Sequence, residues 1–259
     1  MLSDLTKEQI ESELRRLEPF GHKINLPYGL STYIPELHHH MHYTRVETLV
    51  KHAFPTLIEA CGGSLKGKRV LDVACNCGGF SFEAAKLGSE YVLGIDIVDR
   101  YIEQANLIKR ALKLKQVEFR RMDIEKLAVS EVGRFDIIFC FGILYHLENF
   151  VSVMRNLSSM TKDIMLVDTL IKRTRFTREP YWNMNISPPY RPKNNARPRR
   201  RGIWKDDKEI VQFRPNEAAV IQLLQFLGFA TVKKIEPRAR GLEKRYYGKC
   251  ATFLAIRNQ

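Results

Sequence analysis

Long apolar runs are missing from this sequence. None of the 259 residues belongs to a stretch approaching the roughly 18–20 that a membrane-crossing helix needs. The first twenty residues lack the apolar heart of a secretory signal and read instead as a polar amphipathic helix, so a cytoplasmic protein without membrane association is expected. Cysteine is scarce and odd in number, five in all, which speaks for reduced thiols rather than a disulfide framework. Internal repeats are absent too. Acidic residues are in deficit: 29 Asp+Glu face 42 Lys+Arg, a net charge of +13 that suits an anionic partner. What remains is globular, with 44% hydrophobic and 27% charged residues, enough for one domain with appendages.

The pattern predicts a helix over 3–18 with Ser3 as its cap, a loop from Gly21 to Pro35, and a second helix over 44–60. From Lys68 strand and helix alternate. Strands are expected at 69–75, 91–96, 116–123, 135–142 and 163–170, with helices at 80–88, 99–113 and 147–160 between them. Apolar strands separated by helices indicate a Rossmann-like, doubly wound α/β sheet, mostly parallel. A helix at 215–229 and strands at 230–236 and 250–257 follow, and the last two strands should pair antiparallel. Residues 1–65 read as an N-terminal helical or lid region. Residues 66–259 read as the main domain, with a long irregular insertion at about 172–210.

The strongest local signal is VLDVACNCGGF, Val70 to Phe80. An apolar strand delivers Asp72 to its carboxyl end, a turn of small residues follows, and then a helix. Ligands of open α/β sheets bind beyond the carboxyl ends of strands, and small residues let the backbone approach them. Asp96 ends the second strand and can accept both hydroxyls of a ribose, or cap the helix after it. Asp123 lies just past the third strand and can face an adenine amino group, or cap a turn. A pyrophosphate would want glycine where Ala74 and Asn76 stand, and Asp72 would repel it. S-Adenosylmethionine brings an ammonium group and no phosphate, so it fits this turn better.

These words resemble the motifs of the class I S-adenosylmethionine-dependent methyltransferases: VLDVACNCGGF the first, YVLGID the second, FRRMDIEKL the third and FDIIFCFGILYHL the fourth. More narrowly, GID, FDIIFCFGILYHL and a late FRPN…LGF are similar to the tRNA wobble-uridine (carboxy)methyltransferase group. The resemblance implies S-adenosylmethionine as cofactor. It implies Asp72, Ala74, Asn76 and Gly78 at the methionine end, and Asp96 with Ile97 at the ribose. Met122, Asp123 and Ile124 would surround the adenine, with Phe141 and Tyr145 near the sulfonium. That group uses a carboxylated cofactor, but residues 20–45 show no matching basic cluster, so plain S-adenosylmethionine is expected.

Tyr145 and His146 follow the fourth strand, where acceptor and methyl should meet. They are the catalytic candidates, His146 as general base for a hydroxyl nucleophile; a histidine bonded to a loop is the plainer alternative. His38, His39, His40 and His42 lack the companions of a zinc site, and Cys75 with Cys77 belong to the turn, so no metal is expected. The insertion carries eleven Lys+Arg against one acid between 172 and 205. Arg199, Arg200 and Arg201 can neutralise phosphates, while Tyr181 and Trp182 can stack on bases. An RNA acceptor and a small, anionic or glycan acceptor both follow from this. A noncatalytic cofactor-binding partner protein is the third reading.

Overall fold

The computed structural model describes residues 5–33, 40–172, 179–187, 210–236 and 249–258; of residues 40–44 and 210 it describes the backbone alone. The expected Arg199–Arg201 cluster, His38 and His39 lie outside the described residues.

Helix α1 runs Lys7–Leu17. Its cap is Thr6, not Ser3: the Thr6 hydroxyl accepts from the Gln9 amide while the Gln9 side chain accepts from the Thr6 amide. Ile10, Leu14 and Leu17 form its buried stripe. The expected helix over 44–60 is two helices, α2 (His40–His52) and α3 (Phe54–Ala60). Pro55 cannot donate an amide hydrogen to the preceding turn, so the helix restarts around it.

Five parallel strands follow: β1 (Arg69–Val73), β2 (Tyr91–Asp96), β3 (Val117–Arg121), β4 (Phe135–Phe141) and β5 (Thr161–Leu170). Helices α4 (Gly79–Lys86), α5 (Asp99–Ala111), the short α6 (Val129–Val132) and α7 (Phe150–Met160) connect them. A single 3₁₀ turn, Leu144–His146, stands between β4 and α7. Two strands form a separate antiparallel ribbon, β6 (Trp182–Ser187) and β7 (Ile210–Pro215). The chain then forms α8 (Glu217–Phe226), β8 (Thr231–Ile235) and β9 (Cys250–Ile256).

The seven-stranded sheet has the order β3-β2-β1-β4-β5-β9-β8. Strand order reverses between β1 and β4, which opens a crevice at their carboxyl ends. β9 runs antiparallel to both β5 and β8. The Rossmann-like, mostly parallel sheet with a C-terminal antiparallel pair is therefore present as read. The ribbon was not anticipated. Its strands of six residues each are separated by a proline- and arginine-rich stretch, and that composition hid the alternation at its two ends.

One core lies on each face of the sheet. On the first, α1, α2 and α3 bring Ile10, Leu49 and Phe54 against Phe80, Phe139 and Phe141, so the N-terminal region shares the domain's own core. On the second, α7 and α8 bring Met154, Leu157 and Leu224 against Leu71, Ile138 and Phe253. Each such buried side chain contributes about 1.5–3 kcal/mol by leaving water. No helix among the described residues is long and apolar enough to cross a membrane.

Candidate functional site

The crevice is floored by the turn after β1. Ala74, Asn76 and Gly78 all hold left-handed backbone angles, φ 55°, 53° and 82°. Glycine and asparagine tolerate this; for alanine the conformation costs about 1 kcal/mol or more. Such strain persists only where the surroundings over-determine it, and here they do. The Cys75 amide donates to the Ile95 carbonyl, the Asn76 amide to Asp96 Oδ2 (2.9 Å), the Cys77 amide to Asn76 Oδ1 (2.7 Å) and the Gly79 amide to His22 Nδ1 (3.1 Å).

Two carboxylates stand at neighbouring strand ends. Asp96 accepts from the Asn76 amide and, through Oδ1, from the Val98 amide at 3.0 Å, so it ties the loop after β1 to the loop after β2. Of the two sequence readings of Asp96, the structure shows the one in which it organises the entry to α5. Burial raises its pKa, against the pull of those amides. Asp72 is deeper, and the Ser81 hydroxyl donates to it at 2.6 Å. Burial pushes its pKa to about 7; the Ser81 bond opposes this and the neighbouring Asp96 charge adds to it. A cationic group in the crevice would relieve that penalty.

Next to Asp96 the surface changes character. Ile97 is 46% exposed, although it directly follows a buried strand. The Met122 amide donates to the Asp96 carbonyl, which brings Met122 alongside, and Met122 and Ile124 are both half-buried. This makes an apolar ledge next to two acids. Asp123 accepts from the Glu125 amide at 3.0 Å, the turn-capping alternative of its sequence reading. The set suits S-adenosylmethionine: a buried acid for an ammonium, an acid with backbone support for ribose hydroxyls, and a ledge for a flat base.

Phe141, expected near the sulfonium, is packed among aromatic rings. Its ring stacks on Phe139 (centroids 5.1 Å) and meets Phe80 edge-on (4.6 Å). Tyr145 and His146 occupy the 3₁₀ turn just beyond, both half-buried, with rings 4.1 Å apart. Trp182, expected as a stacking residue, packs within the chain. One face stacks on Phe150 at 4.3 Å, so that face is taken within the chain. The Tyr181 hydroxyl donates to the Lys172 carbonyl, which fixes the base of the ribbon.

Sequence reasoning missed three features. His22, from the segment after α1, holds the first turn of α4. Arg45 of α2 pairs with Asp168 at 2.9 Å; Asp168 is only 1% exposed, and Thr252 of β9 donates to its other oxygen at 2.9 Å. The Arg45 guanidinium lies where a side chain at position 142 would begin, so only Gly142, at φ 70°, fits beneath it. Asp168 ends β5 much as Asp72 and Asp96 end their strands, and that signal could have found it. The third feature is the polar side of the ribbon. The five cysteines are free, with burial raising Cys75 and pushing Cys77 and Cys140 up to about 12, so these three are thiols. Among the described residues no three His, Cys, Asp or Glu side chains converge as a metal site would require.

Residues 64–184 match the family model described as a methyltransferase domain. The ubiquinone biosynthesis O-methyltransferase of Bordetella avium (strain 197N) is 36% identical over 105 residues, which cover 40% of this chain and 43% of that protein. Its counterpart in Neisseria meningitidis serogroup C (strain 053442) is 31% identical over 98 residues, 38% of this chain and 41% of that one. The chain thus matches less than half the length of these curated relatives. Among solved structures, the N-terminal domain of EvdMO1, crystallised in the presence of S-adenosylhomocysteine and D-fucose, is similar with a TM-score of 0.69 and 16% identity. The match covers 99% of this chain and 98% of that domain. Magnesium protoporphyrin IX methyltransferase (ChlM) from Synechocystis PCC 6803, with S-adenosylmethionine bound, aligns at TM-score 0.52 and 18% identity over 83% of this chain and 79% of its own. The relatives named here include no tRNA wobble-uridine enzyme.

Proposed function

We propose that this chain, whose residues 64–184 match a methyltransferase domain, transfers the methyl group of S-adenosylmethionine to a hydroxyl oxygen of a small molecule. The observation that carries the reading is the pairing of Asp72 and Asp96 with the exposed Ile97 at the point where strand order reverses. The names of the sequence relatives, O-methyltransferases, support oxygen as the acceptor atom.

Bound there, the cofactor supplies an electrophilic methyl on a sulfonium. In this reading Asp72 takes the ammonium, Asp96 the ribose hydroxyls, and Ile97, Met122 and Ile124 the adenine. Tyr145 and His146 hold the acceptor in line with the methyl carbon. With the cofactor bound, its activated methyl would be the electrophile for the acceptor hydroxyl, and His146 would accept the proton that hydroxyl releases. Alignment and exclusion of water supply most of the rate, because the electrophile is already activated. The helices of the N-terminal region, held through Arg45 and His22, serve as the cover.

An RNA acceptor rests on the Arg199–Arg201 run, which lies outside the described residues, and the named relatives do not support it. Labelled-methyl transfer measured in parallel on a small-molecule extract and on total RNA tests the reading. Label in the extract alone is the expected result. Label in RNA alone rejects it.

A further inference from the structure

The ribbon is turned inside out. In an antiparallel pair, cross-strand partners share a face. Asn183 pairs with Arg214 and Asn185 with Gln212, so these four polar side chains form one face; Met184 pairs with Phe213 and Ile186 with Val211 on the other. A two-stranded ribbon resting on a protein normally buries its apolar face. Here Trp182 and Phe213 rest on Phe150, but farther along Met184 and Ile186 are each 59% exposed. The four polar side chains are all half-buried.

Among the described residues their side-chain hydrogen bonds are local. Asn185 Nδ2 donates to Asn183 Oδ1 at 2.7 Å, and an Arg214 terminal nitrogen reaches Gln212 Oε1 only at 3.4 Å. Arg214 Nε is sealed from solvent and has no hydrogen-bond partner among the described residues. A buried guanidinium donor without an acceptor is costly and rare. The ribbon is anchored where the Asn216 amide donates to the Tyr181 carbonyl and the Lys172 amide to the Pro215 carbonyl. From there β7 lies against the Leu144–His146 turn that carries the catalytic candidates.

We infer that the polar face of this ribbon is the acceptor-recognition surface, and that the acceptor is a polyhydroxylated, sugar-like molecule. The inference rests on the methyltransferase reading and names its substrate class. Amide side chains offer donor and acceptor to the same ligand, as hydroxyl groups require, and a flat apolar or purely phenolic acceptor would leave three amides unmatched. Arg214 supplies donors alone, so it faces a ring oxygen, a deprotonated hydroxyl or a carboxylate on that sugar. Set beside His146, the surface fixes which hydroxyl reaches the methyl group.

The test uses the full chain saturated with S-adenosylhomocysteine. Saturation-transfer NMR titrations with D-fucose as the sugar probe and catechol as the planar probe are run on the unaltered protein and on Arg214→Gln, Gln212→Ala and Asn185→Ala. The expected result is D-fucose binding that weakens about tenfold in each variant, the scale of one lost buried hydrogen bond. Affinity for S-adenosylhomocysteine and the melting temperature should stay near those of the unaltered protein. Absence of D-fucose binding, D-fucose affinity unchanged in the variants that remain folded, or catechol binding alone overturns the inference and leaves the methyltransferase reading intact. Failure of the unaltered chain to bind S-adenosylhomocysteine overturns that reading instead.

Discussion

The turn after β1 and the ribbon after β5 both stand beyond the carboxyl edge of the sheet, and they are held in opposite ways. In the turn, the amides of residues 75–79 find partners in Ile95, Asp96, Asn76, Cys75 and His22 within a few ångströms. Its strained Ala74 is locked by them. The ribbon has its own ladder and two anchors at its base, and among the described residues the buried Arg214 Nε has no hydrogen-bond partner. A site for one invariant ligand can be built rigid and self-satisfied. A site that selects among acceptors keeps its recognition groups for the ligand.

The largest expected effect is at the buried ion pair between α2 and the end of β5. Arg45→Ala removes the cation paired with the buried Asp168, and removing one partner of a buried pair costs about 3 kcal/mol or more. Urea unfolding should show that loss. A change below about 0.5 kcal/mol, the level of an ordinary surface substitution, would mean that α2 is not held there.

Asp72→Asn separates stability from binding. The folded pKa, about 7, lies above the ordinary carboxylate value, so the native state takes up a proton that the unfolded chain does not hold. Stability should therefore rise as pH falls from above 7 toward 4, and the penalty should be full above pH 7. Asn keeps an acceptor for Ser81 without the charge, so this variant should be roughly 2–3 kcal/mol more stable at pH 8 and show little gain near pH 4. Its affinity for S-adenosylhomocysteine should fall. A stability gain that does not depend on pH would point away from Asp72 ionisation.

Asp96→Ala should weaken S-adenosylhomocysteine binding by about 2 kcal/mol in calorimetry, the scale of charge-assisted hydrogen bonds. Unchanged affinity in a folded variant would remove Asp96 from the site. The smallest effect is at Ala74. Ala74→Gly releases the left-handed strain but loosens the unfolded chain, for a net gain of about 0.5 kcal/mol. A loss of more than about 1 kcal/mol would show that the methyl group of Ala74 packs usefully.

The turn after β1 and the acids near it were legible because they are local in sequence. Asp72, Ala74 and Gly78 sit within seven residues of one another, and Asp96 ends the very next strand. The sheet was legible for a similar reason, since strands buried on both faces read as plain apolar runs. Other contacts are assembled from distant pieces. Arg45 and Asp168 are 123 positions apart, and Asn183 meets Arg214 only through strand pairing. The ribbon strands were obscured because they mix apolar and amide residues and flank a basic, proline-rich stretch. Trp182 was read as a free stacking surface because nothing in its neighbourhood announces Phe150 as its partner.

The place of β9 has a consequence for how the chain reaches this state. β9 lies between β5 and β8, and both neighbours are made before it. Until residues 250–256 are available, β5 presents an open edge and β8 has no strand to join. During synthesis, at ~5–20 residues per second, the crevice-forming strands β1 to β5 exist for several seconds before that edge is closed. An unpaired edge is a template for association with other chains. Asp168 lies on that edge strand and Thr252 on the strand that closes it, so the carboxylate bonded by Arg45 receives the Thr252 hydroxyl only when β9 is in place.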